Sequence, residues 1–285
     1  MSDIRPTQSD RANPPSRLHQ LRDRVLSCQP DHPLLIEPQT TPTVAGLQAL
    51  ALQVQAELQA RGVGRGDRVL IVAENCAAHV ALLVAVSRLG AFSCGLNARL
   101  SAGELAAFAQ RAQARVVAYT VAASDAAAAH ARAAGARASA VPGLHFGPVD
   151  DQALPEAGPL ADTVAAIIFT SGTTGAPKGV LVSHTGLLHF ASVSARARGL
   201  TAHDRVYACL PMTHIFGLAT VLMATLQAGG TLLLRPRFEP DDLLHALAHQ
   251  GLSQLQGPPT LFARLLAHLD SRGIEHPAAP ALRYL

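Results

Sequence analysis

The stretch IIFTSGTTGAPKGVLVSH, residues 167–184, carries the strongest local signal in the chain. A β-prone run closing at Phe169 opens into Thr170, Ser171, Gly172, Thr173, Thr174 and Gly175, and Lys178 follows. Lys178 is the only lysine in 285 residues; the rest of the 23 Lys and Arg side chains are arginine. Glycines permit positive φ, so successive backbone N–H groups can turn toward one anion. The hydroxyls add donors, and the ammonium adds a compact cation that can reach a terminal phosphate. The spacing is not that of a Walker A loop, which needs G-x-x-x-x-G-K followed by Ser or Thr. Pro177 and Gly179 argue against a helix starting at the lysine, so GVLVSH reads as a second short strand and the loop joins two strands. A generic Gly/Ser/Thr turn is the plain alternative.

Outward from this loop, the composition bounds the class. With 49% hydrophobic and 15% charged residues the chain is globular, long enough for one large domain or two modest ones. The net charge of +3 is spread among scattered arginines without a basic stripe, which gives no support to a nucleic-acid partner. Cys28, Cys76, Cys94 and Cys209 are far apart and suit reduced thiols in a cytoplasm, neither a disulfide framework nor a zinc site. Residues 1–32 are polar and proline-bearing and read as a flexible lead-in, and no signal peptide is evident. From Ile215 to Leu234 no charge occurs, a length that could span a bilayer. Gly229-Gly230, Gln227 and the threonines favour a buried helix over 217–227 and a strand over 231–234, and no membrane span.

Helical and strand signals alternate throughout, which defines an α/β protein. Thr43 caps a helix with Val44, Leu47, Ala51, Val54 and Leu58 on one face, ended by Gly62. Val69 to Val72 form a buried parallel strand, and AAHVALLVAVSRLG returns to helix before the extended AFSCGLN. Ser101 and Glu104 make a capping box ahead of a further helix, and ARVVAYT is the next strand. The alanine-rich tract after it reads as a surface helix, and residues 141–162, rich in Pro, Gly and acids, as a linker or surface loop. TGLLHFASVSARARG is helix, DRVYACLP strand, and Pro240 opens a helix that Gly251 stops.

FTSGTTGAPKGVLVSH resembles the phosphate loop of the adenylate-forming acyl- and aryl-CoA synthetases, the AMP-dependent ligases. GVGRGDRVLIVAEN, LVAVSRLGAFSCGLNARLSAGEL, YACLPMTHIFGL and GPPTLFARLL resemble that family in order and spacing, over about Pro33 to Leu285. The resemblance implies the large N-terminal domain of such enzymes, mixed sheets flanked by helices. It implies attack of a carboxylate on the α-phosphate of ATP, giving acyl-AMP and pyrophosphate, then displacement of AMP by a thiol such as CoA. By matching positions, Thr170, Ser171, Gly172, Thr173, Thr174, Gly175 and Lys178 would hold the β- and γ-phosphates, with Mg2+ bridging them. His214, with Phe216 and Gly217, would shape or gate the acid pocket; without the motif, His214 reads as an ordinary core residue. His184, His189 and the other histidines read as structural or solvated.

Amino-acid-activating relatives place an aspartate near this motif, whereas no acid occurs from Leu210 to Leu234. A buried ammonium without a counter-charge is costly, so a plain carboxylic acid is favoured, fatty or aryl. The chain reaches PALRYL before the family's ribose aspartate, hinge and adenylation lysine, so no catalytic residue is assigned. The expectation is an incomplete adenylation domain over 33–285, truncated before the C-terminal domain, whose missing C-terminal portion is the natural partner. The alternative is a non-catalytic nucleotide- or acyl-binding remnant.

Overall fold

A computed structural model describes residues 15–21, 29–170 and 178–285. The expected alternation yields two sheets. Strands β1 (Leu35–Ile36), β2 (Arg68–Ala73), β3 (Phe92–Asn97), β4 (Val116–Thr120), β5 (Arg137–Ala138) and β6 (Leu144–Phe146) come first. They are followed by β7 (Val164–Thr170), β8 (Lys178–Ser183), β9 (Arg205–Ala208), β10 (Thr231–Leu234) and β11 (Gln254–Leu255). The larger sheet runs β5-β6-β4-β2-β3-β7-β8, parallel across β4-β2-β3-β7 and antiparallel at both edges. The smaller sheet, β1-β10-β9-β11, is wholly parallel.

Local signals and structure coincide at several points. The helix Val44–Ala60 buries Val44, Leu47, Ala51, Val54 and Leu58, and the Thr43 side chain accepts from the Gly46 N–H. The helix Ala102–Ala112 carries both bonds of the Ser101–Glu104 capping box. The helix Ala77–Arg88 is buried on nearly every side, and its apolar residues join a core that also takes in β1, β9 and β10. A second cluster lies on the other face of the larger sheet, under the helices Ala102–Ala112 and Asp125–Ala133.

Two stretches differ from expectation. In the N-terminal lead-in, Leu18 and Leu21 are 2% and 1% exposed and belong to the core. The Leu18 N–H donates to His184 Nδ1 at 3.2 Å, so a leucine pair one helical turn apart docks this segment. Residues 1–14 and 22–28, with Cys28, lie outside the described residues. The 141–162 stretch supplies β6, whose Leu144 and Phe146 are buried against β4, and a short helix Leu160–Thr163. Leu144, His145 and Phe146 alternate in and out as a strand should, but three residues are too few to stand out among prolines and glycines.

The uncharged 215–234 segment is a π-helix, Phe216–Met223, then an α-helix, Ala224–Ala228, then β10. Thr220 Oγ1 donates to Phe216 O and Thr225 Oγ1 to Val221 O, so hydroxyls satisfy carbonyls where the usual ladder widens. Gly229, at φ 74°, ends the segment in the left-handed conformation. Among the described residues no helix is long and apolar enough to cross a membrane.

Candidate active site

β7 and β8 form an antiparallel hairpin whose last rung pairs Thr170 with Lys178. The loop strands therefore run as the residue pattern requires, with the only lysine at the mouth. Ser171, Gly172, Thr173, Thr174 and Gly175 lie outside the described residues, so the structure speaks only for the loop's two ends. Thr170 and Lys178 are both exposed. Beside them, a Cβ added to Gly179 would meet Ile167 Cγ2 at 2.9 Å and the Phe169 ring at 3.4 Å. Glycine after the lysine thus lets the Phe169 ring lie across the hairpin, where it meets Phe108 edge-on at 5.2 Å.

Phe169 also walls a cavity of about 590 Å³, and His214, Phe216 and Gly217 line it from the smaller sheet's side. Gly95 and Asn97 of β3 and Phe108 of the helix Ala102–Ala112 line it from the other side. The three residues expected at the acid pocket thus come together, next to the strand that leads into the phosphate loop. His214 is exposed, and its Nδ1 accepts the Phe216 N–H at 3.4 Å. An imidazole that accepts at Nδ1 leaves Nε2 as its remaining donor. Gly217 is required by contact: a Cβ there would stand 2.2 Å from Pro211 O and 2.5 Å from Leu210 O.

Sequence reasoning missed one charged group here. Glu104 lines the cavity, although 210–234 holds no acid. Its Oε2 accepts from the Ser101 hydroxyl and N–H, which hold its pKa below the usual range. The capping box announced that role; nothing in the spacing announced the cavity.

Leu210, Pro211 and Pro258 are shared with a neighbouring cleft of about 380 Å³ that Arg99, Arg237 and Arg264 line. Arg99 pairs with Glu74 at 3.1 Å, Arg237 with Glu239 at 3.2 Å, and Arg264 lies over the Phe238 ring. Among the described residues, no group of three or more His, Cys, Asp or Glu is placed to hold a metal ion. His184 is buried, its pKa pushed down to about 4 by burial and the nearby positive Arg17 and His19. It is structural, as expected.

This two-sheet frame, with a hairpin mouth beside a cavity, is that of an adenylate-forming N-terminal region. A family model described as AMP-binding enzyme matches residues 23–285, and the chain belongs to that family. It is 33% identical over 268 residues to a Mycobacterium tuberculosis CoA ligase for a propanoyl group carrying a methyl-dioxo-octahydro-indenyl ring system. That match covers 86% of this chain and 52% of the relative. A feruloyl-CoA synthase of Amycolatopsis sp is 30% identical over 229 residues, covering 80% of this chain and 46% of the relative. The crystal structure of ATP-bound MatB from Rhodopseudomonas palustris superposes with a TM-score of 0.69 at 29% identity, over 87% of this chain and 51% of that one. The chain thus spans about half the length of the relatives it matches.

Proposed function

We propose that this chain provides the ATP- and acid-binding part of a ligase that activates a carboxylic acid as its acyl-adenylate and passes the acyl group to a thiol such as CoA. A carboxylate oxygen attacks the α-phosphorus, the bond to the β-phosphate bridging oxygen breaks, and pyrophosphate leaves. The thiol sulfur then takes the acyl carbon and AMP leaves. The barrier is the approach of two anions, so charge placed on the leaving phosphates matters most.

The observation that carries the reading is the Thr170–Lys178 rung beside the His214 cavity. Thr170, Ser171, Gly172, Thr173, Thr174, Gly175 and Lys178 would hold the β- and γ-phosphates, where Mg2+ would add further charge neutralisation. His214, Phe216 and Gly217 would shape the acid's cavity, with the His214 Nε2–H available to an oxygen of the acid or the adenylate. The arginine-lined cleft suits the phosphates of CoA, and its shared wall would lead the thiol toward His214. No acid occurs over 210–234 to pair with an ammonium, which supports a plain carboxylic acid.

The remaining portion of the same enzyme would supply the adenylation lysine, with 33–285 forming the incomplete adenylation domain. Buried free Cys76, Cys94 and Cys209 suit a cytoplasmic protein. Pyrophosphate exchange by the whole enzyme, with the portion that supplies the adenylation lysine present, screened over fatty and aryl acids, tests the proposal. Acid-dependent exchange supports it, whereas ATP binding without exchange for any acid points to a non-catalytic remnant.

A further inference from the structure

Asn75 follows β2 in the larger sheet and is 2% exposed. Its side chain makes three bonds to backbone of the smaller sheet's 208–212 segment, 133 to 137 residues away. Nδ2 donates to Ala208 O at 3.1 Å and to Leu210 O at 2.8 Å, while Oδ1 accepts the Met212 N–H at 2.9 Å. The amide's orientation is fixed by this pattern, because a flip would set Oδ1 against two carbonyls and Nδ2 against an N–H.

The three bonds reach residues 208, 210 and 212, from the last rung of β9, where Ala208 still pairs with Leu234, into the bend and turn that follow the strand. The run ends at His214. Two glycines close on it from other elements. A Cβ on Gly95 of β3 would stand 3.0 Å from Thr213 Cα, and Gly217 packs against the carbonyls of Leu210 and Pro211.

We infer that Asn75 is a positioning residue, clasping the 208–212 run so that His214 stands at the cavity in a fixed place relative to the β7–β8 hairpin. The inference rests on the functional reading of that cavity given above. It concerns placement and not chemistry: Asn75 is not among the residues that line the cavity. Displacing a group at a reacting centre by about 1 Å is enough to lower rates on the order of 100-fold, so a clasp across the two sheets would act on turnover more than on ATP affinity.

The test uses the whole enzyme, including the portion that supplies the adenylation lysine, with isotope-labelled histidine, the His214 resonances being assigned by loss in His214→Gln. Asn75→Asp keeps the shape and Oδ1 but turns the two donors into an acceptor facing two carbonyls. Gly95→Ala presses on the same run from β3 and serves if Asn75→Asp does not fold. The expected result is that His214 ring signals move in both variants while those of His249 and His268 stay. In pyrophosphate exchange kcat should fall at least tenfold with KM for ATP within about twofold. His214 signals unmoved in a folded variant, or all histidines moving together, overturns the clasp. Absence of exchange by the unmodified protein for every acid would instead count against the functional reading, and the resonances would still decide the clasp.

Discussion

Thr170 and Lys178 face each other across the final rung of the β7–β8 ladder. The ladder holds Thr170 and Lys178 at strand spacing, and the chain's only lysine is placed by the last rung itself. It need not travel on a flexible arm of chain.

Replacing Lys178 by Ala should therefore remove function and spare the fold. Pyrophosphate exchange by the whole enzyme is expected to drop on the order of 100-fold or more. Because Lys178 is exposed, the thermal midpoint should remain within a degree or two of the parent's. An active Lys178→Ala protein would contradict the phosphate role.

Gly217→Ala should act on the fold first. The added methyl would overlap Pro211 O, at 2.2 Å, and backbone cannot give way as a side-chain tip can. A loss of about 1–3 kcal/mol is expected in urea unfolding, with the π-helix repacking away from the cavity.

Asp204 is 2% exposed and accepts from Ser253 Oγ, the Thr201 N–H and the Arg283 guanidinium. Burial alone would raise its pKa, but the bonds from Arg283, Ser253 and Thr201 outweigh it and hold the carboxyl low. Asp204→Ala should cost about 2–3 kcal/mol at neutral pH, toward the low side of a broken buried pair because Arg283 is half-exposed and can regain water. With the folded pKa below the unfolded one, this stabilisation is complete above about pH 4 and fades as acid protonates Asp204. The parent–variant gap measured by urea titration should accordingly narrow on acidification.

Acid should also release the N-terminal segment. His79 and His184 are both buried, and burial lowers each pKa from 6.5 to about 4. The folded state thus resists protonation that the unfolded chain accepts, so stability is full above about pH 6.5 and declines toward pH 4, by up to ~3 kcal/mol per histidine. Protonating His184 Nδ1 also removes the acceptor of the Leu18 N–H. Limited proteolysis near residues 15–21 should accelerate between pH 6 and 4, and His184→Gln should flatten that dependence.

Much of this was legible in the residues. The Thr43 helix, the Ser101–Glu104 box, the 69–72 strand and the 231–234 strand each carry signals that short-range sterics and hydrogen bonding enforce, and each lies where the pattern put it. The lysine's strand partner could be expected from Pro177 and Gly179. What escaped depends on distant chain. Leu18 and Leu21 look polar by company and are apolar by destination. Asn75 sits in an ordinary strand-to-helix turn, and its work is done on carbonyls more than a hundred residues away. Glu104 reads as a cap, and only the fold shows that the cap is also a cavity wall.

The solitary, solvent-facing Lys178 makes the chain unusually simple to tag. Apart from the amino terminus it holds one aliphatic amine, so an amine-reactive fluorophore would mark a single side chain at the hairpin mouth. Protection of that amine by bound nucleotide, followed by mass spectrometry of the tagged peptide, would turn the rarest residue of this protein into its own occupancy gauge.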